Sequence, residues 1–294
     1  MATKYYVGGD GGKWNETWTS QYPPVQSDDY VKATSTYTSY DPYKATDPSY
    51  SLTGSWTAGG WLSLNGQSTN QRFHIDHGSA KKINRIYYEN IHSTGTYLQY
   101  GAQNFTFWGS SESTAFAELT YATDTDWTQL TTATSVFKQH RAENMIDPQY
   151  ILVSNSNTYR YSGFKFADGY GGNCMGARRI ELQSASAEHW ATSSGGTASY
   201  VNKPTYADDV VFDSNSGSGN IAVSMEGFGE CNNLYLGNPS GGALTLTGNP
   251  RDLRINGSLT IEPGVIFNQN LLQYRTGMRG INKITGISKI QYGG

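Results

Sequence analysis

The sequence predicts an all-β protein, with a sandwich or barrel up to about residue 186 and a β-solenoid-like or small stacked sheet after it. Three observations lead to this prediction. Apolar and polar residues alternate with a period of two in many short runs. Glycine and asparagine clusters separate these runs. The 34 Gly and 22 Tyr, with abundant Thr and few helix-forming stretches, favour strands joined by tight turns.

Alternating runs mark the strands of the first part. Within 72–76, the side chains of Phe73 and Ile75 fall on one face. The same alternation occurs in four further runs, 104–107, 150–153, 164–166 and 179–182. Helical periodicity is confined to two short candidates, 113–120 and 138–145. Several short strands with turns between them predict a sandwich or barrel.

The pattern of apolar residues changes after about residue 186, where pairs of apolar residues recur at short intervals. The pairs are Leu234/Leu236, Leu244/Leu246, Leu253/Ile255, Leu259/Ile261 and Val265/Phe267. Short strands at this spacing, punctuated by glycine, are typical of the coils of a β-solenoid or of a small stacked sheet. A segment of about 100 residues forms few coils, so we expect it to need capping or trimerisation. The stretch 281–292 keeps the same rhythm.

The charge balance, the distribution of apolar residues and the two cysteines each argue against a particular class of protein. The chain has 21 Lys and Arg against 24 Asp and Glu, without a basic block, which disfavours nucleic acid binding. The N-terminus lacks the apolar core of a secretory signal, and no window approaches 18 apolar residues, so we expect no membrane insertion. Cys174 and Cys231 fall in different predicted domains, which favours two buried free thiols over a disulfide.

Residues 30–184 resemble the discoidin family, the galactose-binding-like jelly roll also called coagulation factor 5/8 type C. The motifs that carry the resemblance occur in the family's order over about 150 residues. They are Ser55-Trp56, Phe73-His74-Ile75-Asp76-His77-Gly78, Ile83-Asn84-Arg85-Ile86, Phe105-Thr106-Phe107-Trp108-Gly109-Ser110, Asp126-Trp127-Thr128-Gln129-Leu130, Tyr150-Ile151-Leu152-Val153 and Arg179-Ile180-Glu181-Leu182. One departure is His77, where the family usually has an apolar residue. The resemblance implies a discoidin-like jelly-roll sandwich.

The flanking segments resemble a glycine-rich module of phage structural proteins. The matching stretches are Tyr5–Trp14, His189–Gly196 and Pro204–Asp213. This implies three segments: an N-terminal scaffold segment 1–29, the jelly roll 30–184, and a scaffold and oligomerisation domain 185–294. The jelly roll is then inserted in the scaffold. Tandem repetition is the alternative, because Pro24–Val31 and Pro204–Val211 share the frame P-x-x-x-D-D-x-V.

The discoidin resemblance implies carbohydrate binding by loops at one end of the barrel, where aromatic rings stack on sugars and polar side chains bind hydroxyls. The matching loops are 51–66, 91–103 and 169–178. Their candidate ligand-binding residues are Trp56, Trp61, Asn65, Tyr97, Tyr100, Tyr170, Asn173 and Arg178. An alternative makes Trp56 a core residue. Trp61, Tyr97 and Tyr100 would equally serve as scaffold or as contacts between subunits.

The family also implies a structural Ca²⁺, for which Asp47 and Glu181 are the candidate carboxylates. Alternatively, Glu181 pairs with Arg179 and Asp47 caps the turn at Pro48. The motif His74-x-Asp76-His77 also contains residue types that bind metals. We do not expect it to bind one, because on a strand His77 faces away from the other two residues.

Together the resemblances imply a phage virion protein, a head or tail fibre or decoration subunit, whose discoidin-like domain binds host or environmental glycans. Such a protein is expected on the virion as a homotrimer held by other virion proteins, and is not expected to be an enzyme. One alternative is a surface-polysaccharide depolymerase, since two carboxylates such as Asp208 and Asp213 could form a glycosidase pair. Another is a purely architectural spacer.

Overall fold

A computed structural model describes residues 2–15, 17–131, 134–185, 188–225, 227–248, 253–268, 284–285 and 290–291. The chain divides into two compact units. The scaffold unit comprises Met1–Thr17 and Ala185–Gly294, and the sandwich unit comprises Trp18–Ser184.

The elements of the sandwich unit are mostly strands. They are β2 (Trp18–Gln21), β3 (Val31–Ala33), β4 (Trp61–Leu62), β5 (Gln71–Lys81), β6 (Arg85–Asn90), β7 (Asn104–Ser110), β8 (Thr128–Gln129), β9 (Ser135–Val136), β10 (Gln149–Leu152), β11 (Tyr159–Phe166) and β12 (Gly176–Ala185), which follow the scaffold strand β1 (Thr3–Tyr6). A short helix, α1, spans Ser113–Ala117, and single 3-10 turns occur at Pro42–Ala45, Trp56–Ala58 and Leu98–Tyr100.

Two sheets face each other in the sandwich unit. One has the strand order β10-β6-β12-β2, with β4 joined to β12, and the other has the order β3-β5-β11-β7-β8, with β9 joined to β7. The alternating residues of both sheets meet in one core, so that the period of two in the sequence becomes an inner and an outer face. This core includes Phe73, Ile75, Ile86, Tyr88, Phe105, Phe107, Phe164, Phe166, Ile180 and Leu182.

The structure confirms the predicted strands and α1, and it corrects two expectations. No helix forms over 138–145. Distant side chains bond to the backbone of this segment instead: Asn90 donates to the Lys138 carbonyl, and Gln149 accepts from the Lys138 N–H. The boundary also moves, because β2 joins the sheet beside β12, which places 18–29 in the sandwich unit.

Most strands of the scaffold unit pair in parallel, while the strand Trp190–Ala191 pairs antiparallel with β1. After β1, the strands of this unit are β13 (Trp190–Ala191), β14 (Asp209–Phe212), β15 (Ile221–Met225), β16 (Gly229–Cys231), β17 (Leu234–Leu236), β18 (Leu244–Gly248), β19 (Leu253–Ile255), β20 (Leu259–Ile261), β21 (Ile266–Asn268), β22 (Ile284–Thr285) and β23 (Ile290–Gln291), with a 3-10 turn at Tyr200–Asn202.

These strands form three stacks. In the first stack Val210 lies beside Leu234, Leu234 beside Leu259, and Leu259 beside Ile284, a spacing of 24 or 25 residues. The stack β15-β18-β21-β23 and the pair β16-β19 are also parallel. The predicted recurrence of apolar pairs is therefore a coil-like parallel stacking. That it is a β-solenoid stays a prediction, and of the stretch 281–292 only β22 and β23 fall within the described residues.

The N-terminal residues belong to this stack. β1 pairs in parallel with β14 and antiparallel with β13. Trp14 packs edge-on against Trp190 with ring centroids 5.0 Å apart, and the Trp190 Nε1 donates to the Trp14 carbonyl. This contact distinguishes insertion from tandem repetition, since it joins the segments on both sides of the sandwich unit.

Among the residues described, no helix is long and apolar enough to cross a membrane.

Candidate functional site

A cleft of about 300 Å³ opens in the sandwich unit, among the loops that the resemblance singles out. Two predicted loops, 51–66 and 169–178, meet beside a third, 91–103. The lining residues are Tyr37, Tyr40, Trp56, Leu62, Asn65, Tyr100, Asn173 and Cys174. Four of the eight predicted ligand-binding residues, Trp56, Asn65, Tyr100 and Asn173, therefore line one cleft.

Three aromatic rings form what we call the aromatic platform: Trp56, Tyr97 and Tyr100. The Trp56 ring is stacked with both tyrosine rings, with centroids 4.7 Å from Tyr97 and 5.5 Å from Tyr100 and interplanar angles of 29° and 28°. Tyr97 is 50% exposed, while Trp56 and Tyr100 are half-buried. Trp56 is therefore neither fully buried in the core nor fully exposed to solvent. The platform presents aromatic surface at the cleft.

Local backbone geometry places the platform. Ser55 precedes the turn at Trp56–Ala58, and its Oγ accepts from the Thr57 N–H. Tyr97 adopts a left-handed conformation at φ 61° immediately before the turn Leu98–Tyr100. This conformation is costly for a bulky residue and persists only where its surroundings fix it.

Two amide side chains border the cleft. Asn65 and Asn173 are exposed, and their loops are joined where the Gly66 N–H donates to the Asn173 carbonyl at 2.7 Å. A primary amide offers two donors and an acceptor, which suits hydroxyl groups. The cleft therefore combines aromatic surface with polar groups at its margin.

The lining of the cleft carries no formal charge at neutral pH. Burial raises the pKa of Tyr40, and it raises the pKa of the Cys174 thiol to about 11. The other lining side chains are aromatic, aliphatic or amide groups. The cleft thus suits a neutral ligand surface better than a strongly ionic one.

Two predicted ligand-binding residues are part of the interior instead. Trp61 is fully buried, packs against Phe73 and Phe166, and donates from Nε1 to the Ser35 carbonyl. Arg178 is 1% exposed. The prediction that they contact a ligand is wrong, because neither has free surface.

The guanidinium of Arg178 instead holds a loop in place. It donates to the carbonyl oxygens of Ser51, Thr53 and His92 at 3.0, 2.8 and 3.2 Å. Arg178 therefore ties the start of the loop that carries Trp56 to the strand β12.

Tyr170 lies outside the lining of the cleft. Its hydroxyl donates to the Phe137 carbonyl at 2.6 Å, and its N–H donates to the Gly101 carbonyl. These bonds anchor the loop 169–178, so the structure gives Tyr170 a supporting position rather than a contact with the cleft.

The proposed Ca²⁺ ligands do not fit a metal ion as they are arranged. Arg179 donates to Glu181 Oε1 at 2.9 Å and to the Tyr50 carbonyl at 2.7 Å, and Ser20 donates to Glu181 Oε2. A guanidinium thus occupies the position between Glu181 and the loop that follows Asp47.

Asp47 itself caps a turn, because its Oδ1 accepts from the Ser49 N–H. No group of three or more His, Cys, Asp or Glu with metal-binding geometry occurs in the described part of the chain.

The motif His74-x-Asp76-His77 is dispersed as the alternation predicts. His74 Nδ1 lies 3.0 Å from the Phe116 carbonyl, Asp76 pairs with Arg160, and His77 Nε2 lies 3.0 Å from the Ser162 hydroxyl. Burial lowers the pKa of both histidines to about 4. They are neutral, buried side chains.

The carboxylates considered for a depolymerase cap turns. Asp208 Oδ2 accepts from the N–H and hydroxyl of Thr205, and Asp213 Oδ1 accepts from the Asn215 N–H. The Asp213 bond has the geometry of an Asx turn, and the two carboxylates flank strand β14 at its opposite ends.

Sequence reasoning missed Tyr37, Tyr40, Leu62 and Cys174 in the cleft. The two tyrosines follow β3 in a Ser- and Thr-rich segment that resembles other loops, so composition did not mark them.

Solved structures that are similar to part of this chain include carbohydrate-binding modules and an F5/8 type C domain. A family 32 module of NanJ from C. perfringens, in complex with galactose, has 12% identity and a TM-score of 0.39 over 57% of this chain and 100% of that chain. A family 32 module of AlyQ, in complex with 4,5-unsaturated mannuronic acid, has 16% identity and a TM-score of 0.36 over 56% and 97%.

An F5/8 type C domain from Bacteroides fragilis has 12% identity and a TM-score of 0.39 over 57% of this chain and 97% of that chain. No family model matches the chain, and no curated protein matches it.

Proposed function

We propose that the sandwich unit binds carbohydrate in the cleft. The observation that carries the proposal is the aromatic platform at the edge of a cleft of about 300 Å³ with Asn65 and Asn173 on its margin. The volume lies at the small end of the range of ligand pockets, which suits one or a few sugar rings.

The physical basis is the match between a pyranose and this lining. The C–H face of a sugar ring is weakly positive and stacks on the negative face of an aromatic ring. Its hydroxyls require donors and acceptors, which the amides of Asn65 and Asn173 and the hydroxyls of Tyr37 and Tyr40 provide.

Binding is tested with a glycan array followed by calorimetric titration of any glycan that is retained. Trp56→Ala removes the central ring of the platform, and we expect at least about a tenfold loss of affinity, the effect typical of an aromatic contact residue. Tyr150→Ala is the matched control, because Tyr150 is 54% exposed on β10 and lies outside the cleft lining. An unchanged affinity in Trp56→Ala, or no retained glycan, contradicts the proposal.

At the level of the whole chain, we propose a non-catalytic phage virion protein that carries this domain as an adhesion module. The support is the resemblance of the flanking segments to phage structural proteins, together with the parallel stacking of the scaffold unit. Stacked repeats of this kind have open ends that need a cap or further copies.

Particle location and subunit number test this second level. Labelled antibody in negative-stain images of phage particles is expected to mark a head or tail fibre, and mass photometry is expected to give a homotrimer near three times 32.2 kDa. Unlabelled particles contradict the virion assignment, and a monomer contradicts the trimer.

A further inference from the structure

The loop that follows β3 adds two aromatic rings to the cleft. We call Tyr37 and Tyr40 the tyrosine wall. Their ring centroids lie 5.9 Å apart, and both residues line the cleft together with Trp56. Neither belongs to the three loops 51–66, 91–103 and 169–178, so the wall extends the site beyond those loops.

The tyrosine wall and the aromatic platform form one continuous series of rings. The Tyr40 ring lies 6.2 Å from that of Trp56, which is stacked with the other two rings of the platform. The most exposed members are at the two ends of the series, because Tyr37 is 43% exposed and Tyr97 is 50% exposed. Aromatic surface is therefore open to solvent at both ends.

The wall and the platform present surfaces of different orientation. The ring planes of Tyr40 and Trp56 are nearly perpendicular, at 77°, whereas Trp56 lies at 29° and 28° to the planes of Tyr97 and Tyr100. A sugar ring stacks its C–H face on one aromatic plane. Stacking on both surfaces therefore requires two sugar rings whose planes differ in direction, as linked units of a glycan chain provide.

Hydrogen bonds hold the wall in this orientation. The Tyr37 N–H donates to the Leu62 carbonyl at 2.8 Å, and the Tyr40 N–H donates to the Tyr37 carbonyl at 2.9 Å. Lys44 Nζ donates to the carbonyl of Ser39 at 2.7 Å, and Ser39 adopts a left-handed φ of 69°. The loop is thus tied to β4, and a loop that is already ordered loses less conformational entropy when it binds a ligand.

The floor between the wall and the platform is apolar. Leu62 and Cys174 are only 4% and 7% exposed, and Tyr40, Trp56 and Tyr100 pack against this floor. A sugar hydroxyl directed at it would lose its hydrogen bonds to water without replacement. The cleft therefore favours contact with the C–H faces of sugar rings, while their hydroxylated edges meet the amide side chains at the margin.

We propose that the tyrosine wall is a second sugar subsite, so that the cleft binds two or more linked, uncharged sugar units of a glycan chain and not a single terminal sugar. One unit stacks on the platform and the next unit stacks on the wall. The proposal rests on the proposed carbohydrate binding and adds the length of the ligand. A ligand of one ring leaves the exposed ring of Tyr37 without a contact.

The length of the ligand is the variable that tests the second subsite. The probes are neutral oligosaccharides of one to four identical units of glucose, galactose, mannose or N-acetylglucosamine, together with any glycan retained on the array and its terminal monosaccharide. Binding to the full chain is followed by NMR titration, which also measures weak affinities. From one unit to two or three, affinity is expected to rise at least about tenfold, the effect of an added aromatic contact. Equal affinity for one unit and for longer chains overturns the proposal.

Variants of Tyr37 assign the effect of length to the wall. Tyr37→Ala is expected to lower the affinity for longer chains by about tenfold and to leave that for one unit unchanged, because only the second unit contacts the wall. Tyr37→Phe keeps the ring and is expected to keep the effect of length. Trp56→Ala is expected to weaken binding at every length. A Tyr37→Ala variant that binds as the wild type does, or that loses the same factor at every length, overturns the proposal.

Tyr206→Ala is the matched control, since Tyr206 is 65% exposed and lies in the scaffold unit. It is expected to bind every probe as the wild type does. Urea denaturation is expected to show wild-type stability in Tyr37→Ala, because the substitution is exposed.

The outcomes separate this proposal from the proposed function. If single units bind and the length of the chain has no effect, the second subsite fails and carbohydrate binding stands. If no probe of any length binds and the array retains no glycan, both fail.

Discussion

Two tryptophans five residues apart show what a single residue contributes in this chain. Trp56 is half-buried in the platform, whereas Trp61 is fully buried against Phe73 and Phe166. Their neighbouring sequence does not distinguish them, because both lie in a glycine- and serine-rich loop. The difference arises from β4, which pairs Trp61 with Ala177 of β12 and turns its ring inward.

This difference predicts opposite effects of truncation. Trp61→Ala leaves a large cavity in the core and is expected to lower the free energy of unfolding by about 3–5 kcal/mol. Trp56→Ala, the comparison variant, is expected to lower the free energy of unfolding by less than half of that amount and to abolish most of the ligand affinity. Urea denaturation of both variants checks the prediction, and equal losses of stability contradict it.

Two buried histidines predict an acid-side loss of stability. Burial lowers the pKa of His74 and His77 from 6.5 to about 4, so the unfolded state takes up protons first as the pH falls. Their contribution is complete above about pH 6.5 and is lost between about pH 6.5 and pH 4.

His77→Gln is expected to flatten this decline. Urea titrations at pH values across the window measure it, with His74 still contributing its own part. A slope equal to that of the wild type would mean that His77 does not titrate as its burial indicates.

At the scale of elements, the strands could be predicted well, because alternation with a period of two reports directly which face is buried. The runs at 72–76, 104–107 and 179–182 all lie within observed strands. The segment 138–145 was mispredicted, since its helix-forming residues are overridden by bonds from residues far away in the chain. The cleft could be predicted only in part for the same reason: Tyr37 and Tyr40 reach it through tertiary packing.

The segment 111–127, which includes α1, covers the outer face of β11. The Trp127 ring packs directly against Gly163, so closely that a Cβ added at Gly163 would lie 2.9 Å from the ring. Arg72 donates to the carbonyl oxygens of Thr120 and Tyr121 and so holds the same segment. Glycine at 163 is therefore needed for close approach.

Gly163→Ala is expected to displace Trp127 and to lower stability by about 1–3 kcal/mol, the usual cost of overpacking. Limited proteolysis is expected to cut within 111–127 faster than in the wild type. Ser111→Ala, an exposed change in the same segment, is the control, and equal cutting rates in the two variants contradict the prediction.

At the scale of the molecule, each unit has its own core. The core of the scaffold unit contains one cluster of aromatic side chains. Tyr6, Trp14, Trp190 and Phe212 are fully buried there and contact one another. The sequence resemblance predicted that the two flanks meet, because their motifs belong to one module. It did not predict that β2 belongs to the sandwich unit, since that strand carries no family motif.

Trp14→Ala is expected to lower the unfolding transition of the scaffold unit by an amount that corresponds to about 3–5 kcal/mol. Trp61→Ala is expected to lower the transition of the sandwich unit. Differential scanning calorimetry resolves the two if the cores unfold separately, and a Trp14→Ala variant that shifts only the sandwich transition contradicts the assignment of Trp14.

The chain enters the sandwich unit through β2 and leaves it through β12, and these strands are neighbours in one sheet. Ser20 and Gln183, one on each strand, are hydrogen-bonded at 3.2 Å. The entry and exit of the inserted domain are thus a few ångströms apart, as in a loop with closely spaced ends. A junction with adjacent ends accepts any inserted domain whose termini are equally close, so the scaffold does not depend on the identity of the domain it carries.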